Sequence, residues 1–282
     1  MDARERLDGM RREVDAELGR LLAGDDSPLF AALRYAVLGG GKRFRPLLLL
    51  STGEAFGSAR TPLLPYACAV ELVHAFSLVH DDLPALDNDD TRRGRPACHK
   101  AFGEGQALLA GDGLLALAFE TIARAPSDGG GGARKDAALR EIAAAAGVGG
   151  MVRGQWLDIT LRPGETDEAA FLDLVRLKTG ALIRASVATG AILAGASAAG
   201  LAAASEYGDA VGLAFQLRDD LADAGRTGSP SGLDALAFFG ADGTRARLAA
   251  EVRRALTALD HAGIVFPELR FLAESLVREG AA

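Results

Sequence analysis

The most informative stretch of the chain is Ala67-Cys-Ala-Val-Glu-Leu-Val-His-Ala-Phe-Ser-Leu-Val79, followed at once by His80-Asp-Asp-Leu-Pro-Ala-Leu-Asp87. Its first part is largely apolar and predicts a buried helix. Five aspartates then occur between Asp81 and Asp90, and two arginines follow. Because Pro84 lacks a backbone N–H, it predicts a kink or the end of the helix, after which Asp87 folds back toward Asp81.

This acidic run predicts a metal site. Carboxylates at the end of an apolar helix are costly to bury unless a cation neutralises them. No Cys or His accompanies them in a metal-ligand spacing, which favours magnesium over zinc. Magnesium held by a few carboxylates keeps its other positions for water and phosphate, and Arg92 and Arg93 add donors for phosphate. An isolated acidic run is more often a solvated loop, so the prediction of a metal site requires a second acidic cluster elsewhere in the chain.

The second cluster ends the run Ala210-Val-Gly-Leu-Ala-Phe-Gln-Leu-Arg-Asp-Asp-Leu-Ala-Asp223. Asp219 and Asp223 are four residues apart and share one helix face, with Asp220 beside them. Arg218 is the only cation in the run, and such stacked like charges penalise an isolated surface helix. The two runs together predict helices that face each other across a bundle and hold a diphosphate through several metal ions.

These two motifs carry a family resemblance. Asp81-Asp82-Leu-Pro-Ala-Leu-Asp87 resembles the longer, DDxxxxD form of the first aspartate-rich motif of the trans-type polyprenyl diphosphate synthases. Asp219-Asp220-Leu-Ala-Asp223 resembles the second, and the likeness extends from about Gly39 to Asp223. It implies an all-α, single-domain bundle of the isoprenoid synthase type over residues 1–282, with a central apolar cavity. It also implies a short-chain prenyltransferase similar to farnesyl or geranylgeranyl diphosphate synthase.

The resemblance also implies roles for individual residues. The resemblance implies three Mg²⁺ ions that bind the allylic diphosphate, and the residues implied to hold these ions are Asp81, Asp82, Asp87, Asp219 and Asp223. The segment Gly39-Gly-Gly-Lys-Arg-Phe-Arg-Pro46 matches the family motif GGKRxRP. The implied ligands of the diphosphate of isopentenyl diphosphate are Lys42, Arg45, His74 and Arg93. Arg92 is assigned to the allylic diphosphate.

Three more residues are implied to act on the allylic substrate. Lys178 and Thr179 belong to a Lys-Thr-Gly segment flanked by helix, where a kink would expose backbone carbonyls and Thr179 to the cavity. Gln216 lies one turn before Asp220 and adds a neutral dipole that stabilises positive charge on carbon. Gln155 and Asp158 match the family motif GQxxD, which the resemblance places in the cavity wall. Asp158 is then implied to orient a cationic side chain, and the alternative is that Asp158 lies on the surface.

The product length is predicted from the first helix. Phe76 and Ser77 lie five and four residues before Asp81, about one to one and a half turns deeper. A phenylalanine there blocks the growing tail, which predicts farnesyl diphosphate as the main product. A geranylgeranyl diphosphate synthase is the alternative. A weakly active or non-catalytic subunit of a heteromeric synthase is another, because no lysine follows Lys178 and the segment 224–232 offers only Arg226.

Composition limits the remaining possibilities. Alanine and leucine dominate and alternating β-branched residues are scarce, which favours an all-helical chain. The net charge of −7 argues against general affinity for nucleic acid. Two cysteines without a paired motif suit a reducing cytosol, and the polar first residues do not resemble a signal peptide. No uninterrupted apolar run reaches the ~18 residues of a membrane span. A homodimer is implied by the resemblance alone.

The chain is predicted to form a series of helices joined by short loops. A loop is predicted from Asn88 to Pro96. The predicted helices are Ala3–Leu22, Phe30–Leu38, Pro46–Phe56, a central one from about Leu63, Ala101–Ala125, Ala137–Leu161, one from Thr166 through a kink at Gly180 to Gly195, the run ending at Asp223, Thr244–Leu259 and Pro267–Arg278.

Overall fold

The structure, a computed structural model, describes residues 2–126, 132–223 and 233–279. Thirteen α-helices occur in these ranges, together with a 3₁₀ turn at Thr61–Leu63 and a π turn at Arg176–Gly180. The helices are α1 (Ala3–Leu21), α2 (Pro28–Leu38), α3 (Phe44–Ala55), α4 (Leu64–Asp81), α5 (Cys98–Phe102), α6 (Glu104–Arg124), α7 (Ala133–Ala146), α8 (Met151–Thr160), α9 (Glu168–Val175), α10 (Ala181–Ala194), α11 (Ala198–Ala222), α12 (Ala235–His261) and α13 (Pro267–Glu279). The predicted all-α fold is confirmed.

Helix starts follow local sequence signals. Asp2 and Glu5 form a capping box at the start of α1, with each side chain accepting from the backbone N–H of the other residue. Asp167 caps α9 by accepting from Ala170 N at 2.8 Å, one residue later than the predicted start at Thr166. Ser197 caps α11 in the same way. These short polar side chains satisfy backbone donors that have no partner inside the helix.

The central helix of the bundle is α4. Eleven of its residues are buried, from Tyr66 to Val79, and it contacts α1, α2, α3, α6 and α10. A helix that is apolar around most of its circumference is stable only when other helices surround it. The end of α4, where the aspartates begin, is therefore held in place by the core of the protein.

Small residues bring the site-forming helices close together. A Cβ on Gly212 of α11 would lie 2.8 Å from the Cα of Gly180, and a Cβ on Gly154 of α8 would collide with the backbone of Lys178. The π turn is thus packed between α8 and α11 with backbone contact on both sides. Side chains larger than hydrogen at these positions would push the three elements apart.

The structure corrects several predicted boundaries. The helix predicted over Ala101–Ala125 is two helices, because Gly103 adopts a φ of 102° that breaks the run. The helix predicted over Ala137–Leu161 is also interrupted, between α7 and α8, at Gly147-Val-Gly-Gly150. The predicted loop from Asn88 to Pro96 contains a hairpin, in which β1 (Thr91–Arg92) pairs antiparallel with β2 (Arg95–Pro96). Helix α3 begins at Phe44, before Pro46, since proline fits the first turn of a helix.

Three segments reach the length and hydropathy of a membrane span: Thr61–Asp81, Glu104–Arg124 and Glu168–Ala194. In their most apolar windows, 67%, 39% and 61% of the residues are buried inside the protein. The first and third segments therefore owe most of their apolar character to the core. The second exposes Leu108 and Leu109, so α6 presents an apolar face at the surface. That no segment spans a membrane stays a prediction.

Candidate active site

The first aspartate cluster surrounds the end of α4. Asp81 is the last residue of this helix and Asp82 is its C-cap. The chain then turns back, because Asp87 N donates to Asp81 O at 2.8 Å and Asn88 N donates to Leu83 O at 3.1 Å. The return of Asp87 toward Asp81, expected from Pro84, is confirmed. This turn places three carboxylates at one end of the core.

Burial controls the charge of this cluster. Burial raises the pKa of Asp81 to about 7, although the ammonium group of Lys178 acts in the opposite direction. Burial likewise raises the pKa of Asp87, again against Lys178. No hydrogen bond or ion pair from the described residues reaches the carboxylate of either side chain. Both carboxylates are thus costly to keep charged, and Lys178 is the cation that acts most on them.

Asp82 is arranged differently. Arg92, from the first strand of the hairpin, forms an ion pair with the Asp82 carboxylate and donates from Nε to Oδ1 at 2.9 Å. The same guanidinium also reaches Asp89 at 3.1 Å. The Asp82 side chain is only 2% exposed, so Arg92 provides the neutralising charge that a buried carboxylate requires. The hairpin, absent from the predicted secondary structure, is the element that brings this arginine back to α4.

The π turn connects the two halves of the site. Lys178 Nζ donates to Asp158 Oδ2 at 2.5 Å, so Asp158 does contact a cationic side chain and is buried rather than on the surface. Although burial opposes the charged form, Asp158 and Asp81 raise the pKa of Lys178. Thr179 Oγ1 donates to Gln216 Oε1 of α11 at 2.7 Å. Single-turn π-helices of this kind are frequent at functional sites.

The second aspartate cluster ends α11. Asp220 accepts from Gln216 Nε2 at 2.7 Å and from Ala235 N at 2.8 Å, so both of its carboxylate oxygens are engaged. Asp219 forms an ion pair with the adjacent Arg218. Burial raises the pKa of Asp219 and brings that of Asp220 to about 6. Asp220 thus anchors the start of α12 and orients Gln216.

A cationic cavity of about 500 Å³ lies between the glycine-rich loop and α4. Its walls include all four residues that were predicted to bind the diphosphate of isopentenyl diphosphate, and they are Gly39, Gly41, Lys42, Arg43, Phe44, Arg45, Glu71, His74, Arg93 and Phe215. Burial lowers the pKa of Arg45 to about 10, which leaves it positively charged at neutral pH. Burial and the neighbouring arginines lower the pKa of His74, so its ring is neutral there.

The arginines of this cavity have different tasks. Arg43 donates to Glu71 at 2.7 Å, to Asp15 at 2.7 Å and to Val37 O at 2.8 Å. Its guanidinium therefore forms hydrogen bonds within the protein. Arg45 is 7% exposed, and its buried Nε has no partner among the described residues. Arg93 donates to Gly40 O in the glycine-rich loop. Arg45 therefore retains an unused donor at the cavity wall.

Glycine is required in this loop. Gly40 and Gly41 adopt φ values of 95° and 140°, in the region that side chains disfavour. A Cβ on Gly41 would also lie 3.0 to 3.1 Å from the guanidinium of Arg93. The close approach of the loop and the hairpin thus depends on the missing side chain.

An apolar cavity of about 230 Å³ adjoins the first aspartate cluster. Its walls are formed mainly by α4 and α8, and they contain Phe76, Ser77, His80, Asp81, Leu86, Met151, Val152, Gln155, Trp156, Ile159 and Lys178. The ring of Phe76 meets that of His80 edge to face, with centroids 5.7 Å apart. Both predicted chain-length residues, Phe76 and Ser77, therefore line a cavity that has Asp81 and Lys178 in its wall.

Known proteins resemble this chain along most of its length. The family model described as "Polyprenyl synthetase" matches residues 26–235. The chain belongs to the polyprenyl synthetase family. The farnesyl diphosphate synthase of Geobacillus stearothermophilus is 38% identical, over 95% of each chain. A chloroplast heterodimeric geranylgeranyl pyrophosphate synthase large subunit of Arabidopsis thaliana is 42% identical over 73% of this chain and 58% of its own.

A solved structure extends the match to the whole fold. The solved structure of a geranyltransferase from Legionella pneumophila superposes with a TM-score of 0.90 at 34% identity, covering 99% of this chain and 97% of that one. The family inferred from the two aspartate-rich motifs is confirmed, and with it the bundle architecture. The family match also includes both clusters, since Asp81 and Asp223 lie within residues 26–235.

The structure brings some predicted residues of this family member together and keeps others apart. Within residues 2–126, 132–223 and 233–279, no three His, Cys, Asp or Glu side chains converge closely enough to hold a metal ion. The cations that act most on the two clusters also differ, since Lys178 acts on Asp81 whereas Arg218 acts on Asp219. The π turn spans the distance between them through Lys178 and Thr179. The segment 224–232, with Arg226, lies outside the described residues.

Some residues of the site escaped the sequence reasoning. Met151, Trp156 and Ile159 of α8 line the apolar cavity, although only Gln155 and Asp158 of that helix were assigned to its wall. Their signal was the apolar spacing of five and three residues along α8, which alone does not show which helix these side chains contact. His80 also lines the cavity and has Nε2 at 3.0 Å from Leu108 O.

Proposed function

We propose that this chain is a short-chain prenyltransferase, which condenses isopentenyl diphosphate with dimethylallyl or geranyl diphosphate head to tail and makes mainly farnesyl diphosphate. The observation that carries the proposal is a pair of cavities that share α4 as a wall. One is cationic and lined by Lys42, Arg45 and Arg93, and the other is apolar with Asp81 and Lys178 in its wall. Two diphosphates with prenyl tails need such a pair.

The aspartates suit Mg²⁺. They offer only hard oxygen donors, and the carboxylates of Asp81 and Asp87 are partly buried without a hydrogen-bond donor from the described residues. The proposed ligands of three Mg²⁺ ions are Asp81, Asp82, Asp87, Asp219 and Asp223. When bound, Mg²⁺ supplies Lewis-acid neutralisation of the allylic diphosphate as it leaves. Asp82 is held by Arg92 in the structure, so metal binding by Asp82 requires this ion pair to rearrange.

The π turn serves the allylic substrate. Asp158 holds the ammonium group of Lys178 beside Asp81, where it adds positive charge for the allylic diphosphate. Arg92 adds a second cation on the same side. Thr179 and Gln216 form a hydrogen-bonded pair of dipoles that Asp220 fixes from behind. Such preorganised dipoles stabilise the positive charge that develops on the allylic carbon.

The cationic cavity serves isopentenyl diphosphate. Arg45 has a buried Nε without a partner among the described residues, and Lys42 and Arg93 line the same wall. The neutral ring of His74 donates one hydrogen bond at most, which suits a diphosphate oxygen. The double bond of the bound substrate attacks the allylic carbon, and the proton lost afterwards passes to the departing diphosphate. No nucleophilic Ser or Cys takes part.

The apolar cavity receives the growing tail. Phe76 lies about one and a half turns deeper than Asp81, and its edge-to-face contact with His80 holds the ring in the wall. A tail that passes Asp81 meets this ring, which supports a fifteen-carbon product. A twenty-carbon product is the second candidate, because relatives with both product names match the chain.

The proposal includes a cytoplasmic homodimer without a membrane span. Exposed apolar side chains on α6 and α8 support an interface, since Leu109 and Trp156 are 63% and 65% exposed. Cys68 and Cys98 are buried and free, which suits a reducing compartment. Light scattering of the purified protein tests the dimer, and a monomer at micromolar concentration would refute it.

The activity is tested with purified protein, Mg²⁺, labelled isopentenyl diphosphate and each allylic primer in turn. A fifteen-carbon product that disappears when a chelator is added supports the proposal. A twenty-carbon product selects the second candidate. No product from the protein alone, together with an altered product when a partner synthase is added, would instead indicate a non-catalytic subunit.

A further inference from the structure

The side-chain amide of Gln155 has no partner. Its Oε1 and Nε2 are both buried and accept or donate no hydrogen bond among the described residues. Burying an amide without hydrogen bonds costs about 1–3 kcal/mol in proteins. A buried polar group without a partner needs an explanation, and one explanation is that a bound substrate interacts with it.

The surroundings of Gln155 place it at the allylic site. It lines the apolar cavity together with Asp81, Lys178 and Phe76. It follows Gly154, whose Cα packs directly on the backbone of Lys178 in the π turn. It also lies three residues before Asp158, whose carboxylate holds Lys178 at 2.5 Å. Gln155 thus lies in the same cavity wall as an aspartate of the first cluster, and its neighbours along α8 contact the π turn.

Three other polar side chains of this cavity wall, those of Ser77, His80 and Lys178, already have hydrogen-bond partners, whereas the Asp81 carboxylate has none among the described residues. Ser77 Oγ donates to His74 O at 2.9 Å, and His80 Nε2 lies 3.0 Å from Leu108 O. Lys178 is paired with Asp158. Gln155 is therefore the neutral side chain of the described wall that retains both a free acceptor and a free donor.

We infer that Gln155 is a catalytic residue, whose amide dipole faces the allylic carbons of the bound substrate and stabilises the positive charge that develops there. The inference rests on the proposed function and extends it to a residue outside the Thr179–Gln216 pair. A neutral dipole fits this place better than a carboxylate, because a carboxylate would compete with Asp81 for the metal and add to its charge. The unsatisfied amide of the free protein is then satisfied only as the charge forms.

The test compares Gln155→Met with the wild type. Methionine has nearly the same length and lacks the amide, so it removes the dipole without opening a cavity. Gln106→Met, the same change at an exposed position of α6, is the matched control. Removing one preorganised group that stabilises a transition state lowers kcat by about 10²-fold. We expect a loss of tenfold to a hundredfold in single-turnover rate for Gln155→Met, and none for Gln106→Met.

Two further readouts separate a catalytic role from a structural one. Calorimetry compares an unreactive neutral allylic diphosphate analogue with an ammonium analogue that carries positive charge near the allylic carbon. Wild type should prefer the charged analogue by tenfold or more, and Gln155→Met should lose that preference. The urea midpoint of Gln155→Met should equal or exceed that of wild type, because the variant no longer buries an unpaired amide.

Several results would overturn the inference. Unchanged rate and unchanged analogue preference in Gln155→Met would do so, as would a raised KM with kcat and preference intact. A lower urea midpoint with normal kinetics would show that the amide is structural. An inactive wild type would instead refute the proposed function, and the analogue titration would still report on Gln155 independently.

Discussion

Two acidic side chains hold the same guanidinium at the same distance and should differ greatly in their contribution to stability. Arg43 donates to Glu71 and to Asp15, at 2.7 Å in each case. The Glu71 side chain is 3% exposed, whereas that of Asp15 is 46% exposed. Breaking a buried pair costs about 3–5 kcal/mol, and breaking a solvent-exposed pair costs about 0–1 kcal/mol. The degree of burial, rather than the distance, should therefore determine how much each ion pair contributes to the free energy of unfolding.

We expect Glu71→Gln to lower the free energy of unfolding by about 3 kcal/mol, at the lower end of that range. The cost is limited because Arg43 still donates hydrogen bonds to Asp15 and to Val37 O in this variant. Asp15→Asn should cost less than about 1 kcal/mol. Urea titrations of the substrate-free protein, with equal slopes for all variants, give both values. Added salt should weaken the contribution of Asp15 and leave that of Glu71 nearly unchanged.

The same substitution should strengthen anion binding. Glu71 lines the cationic cavity and its charge acts on Arg45 and Arg93. Its removal leaves the arginines less compensated, so inorganic diphosphate should bind more tightly to Glu71→Gln than to wild type in calorimetry without metal. Equal costs for Glu71→Gln and Asp15→Asn would refute the burial argument. Weaker diphosphate binding would show that Glu71 acts on the cavity mainly by positioning Arg43.

Three further predictions concern the apolar cavity and the first aspartate cluster. Phe76→Ala removes the ring below Asp81, so the main product should lengthen from fifteen carbons to twenty or more, as chromatography of the dephosphorylated products would show. Asp158→Asn removes the charge that holds Lys178, so KM for the allylic diphosphate should rise roughly tenfold, about 1.4 kcal/mol, with KM for isopentenyl diphosphate unchanged. Asp81 has a pKa raised by burial from 3.8 to about 7, so the folded state binds more protons between these values and stability falls as pH rises through them. Asp81→Asn should lack this fall and melt at a higher temperature than wild type above pH 7 in chelator.

Each of these has a matched control. Phe56→Ala removes a ring at the end of α3, outside the apolar cavity, and should leave product length unchanged. Asp173→Asn breaks the exposed pair with Arg176 and should leave both KM values unchanged. Unaltered product length in Phe76→Ala would contradict the gate, and equal KM values for Asp158→Asn and Asp173→Asn would contradict the role of Lys178. If the stability of Asp81→Asn fell with rising pH as steeply as that of wild type, the pH dependence would have to come from a group other than Asp81.

Much of the fold followed from local signals. The apolar run before Asp81 predicted a buried helix because a helix that is apolar on most faces must be surrounded. Pro84 predicted the turn that brings Asp87 back to Asp81, and the structure contains a backbone hydrogen bond from Asp87 N to Asp81 O. The predicted starts at Ala3 and Pro267 are those of α1 and α13, whereas α12 begins at Ala235 and not at the predicted Thr244. The breaks at Gly103 and after Ala146 were missed, since glycine in a long apolar run is compatible with a continuing helix at modest cost.

The sequence by itself determined the helical class, the two aspartate-rich motifs and the cations available for diphosphate. These depend on periodicity and on residue chemistry, which are local properties. Only the tertiary structure decided that Arg43 is tied to Glu71 while Arg45 keeps a free donor, that Arg92 returns to Asp82, and that the amide of Gln155 is buried without a partner. Partners distant in sequence and the degree of burial set these properties, because the cost of an unpaired polar group depends on its access to water.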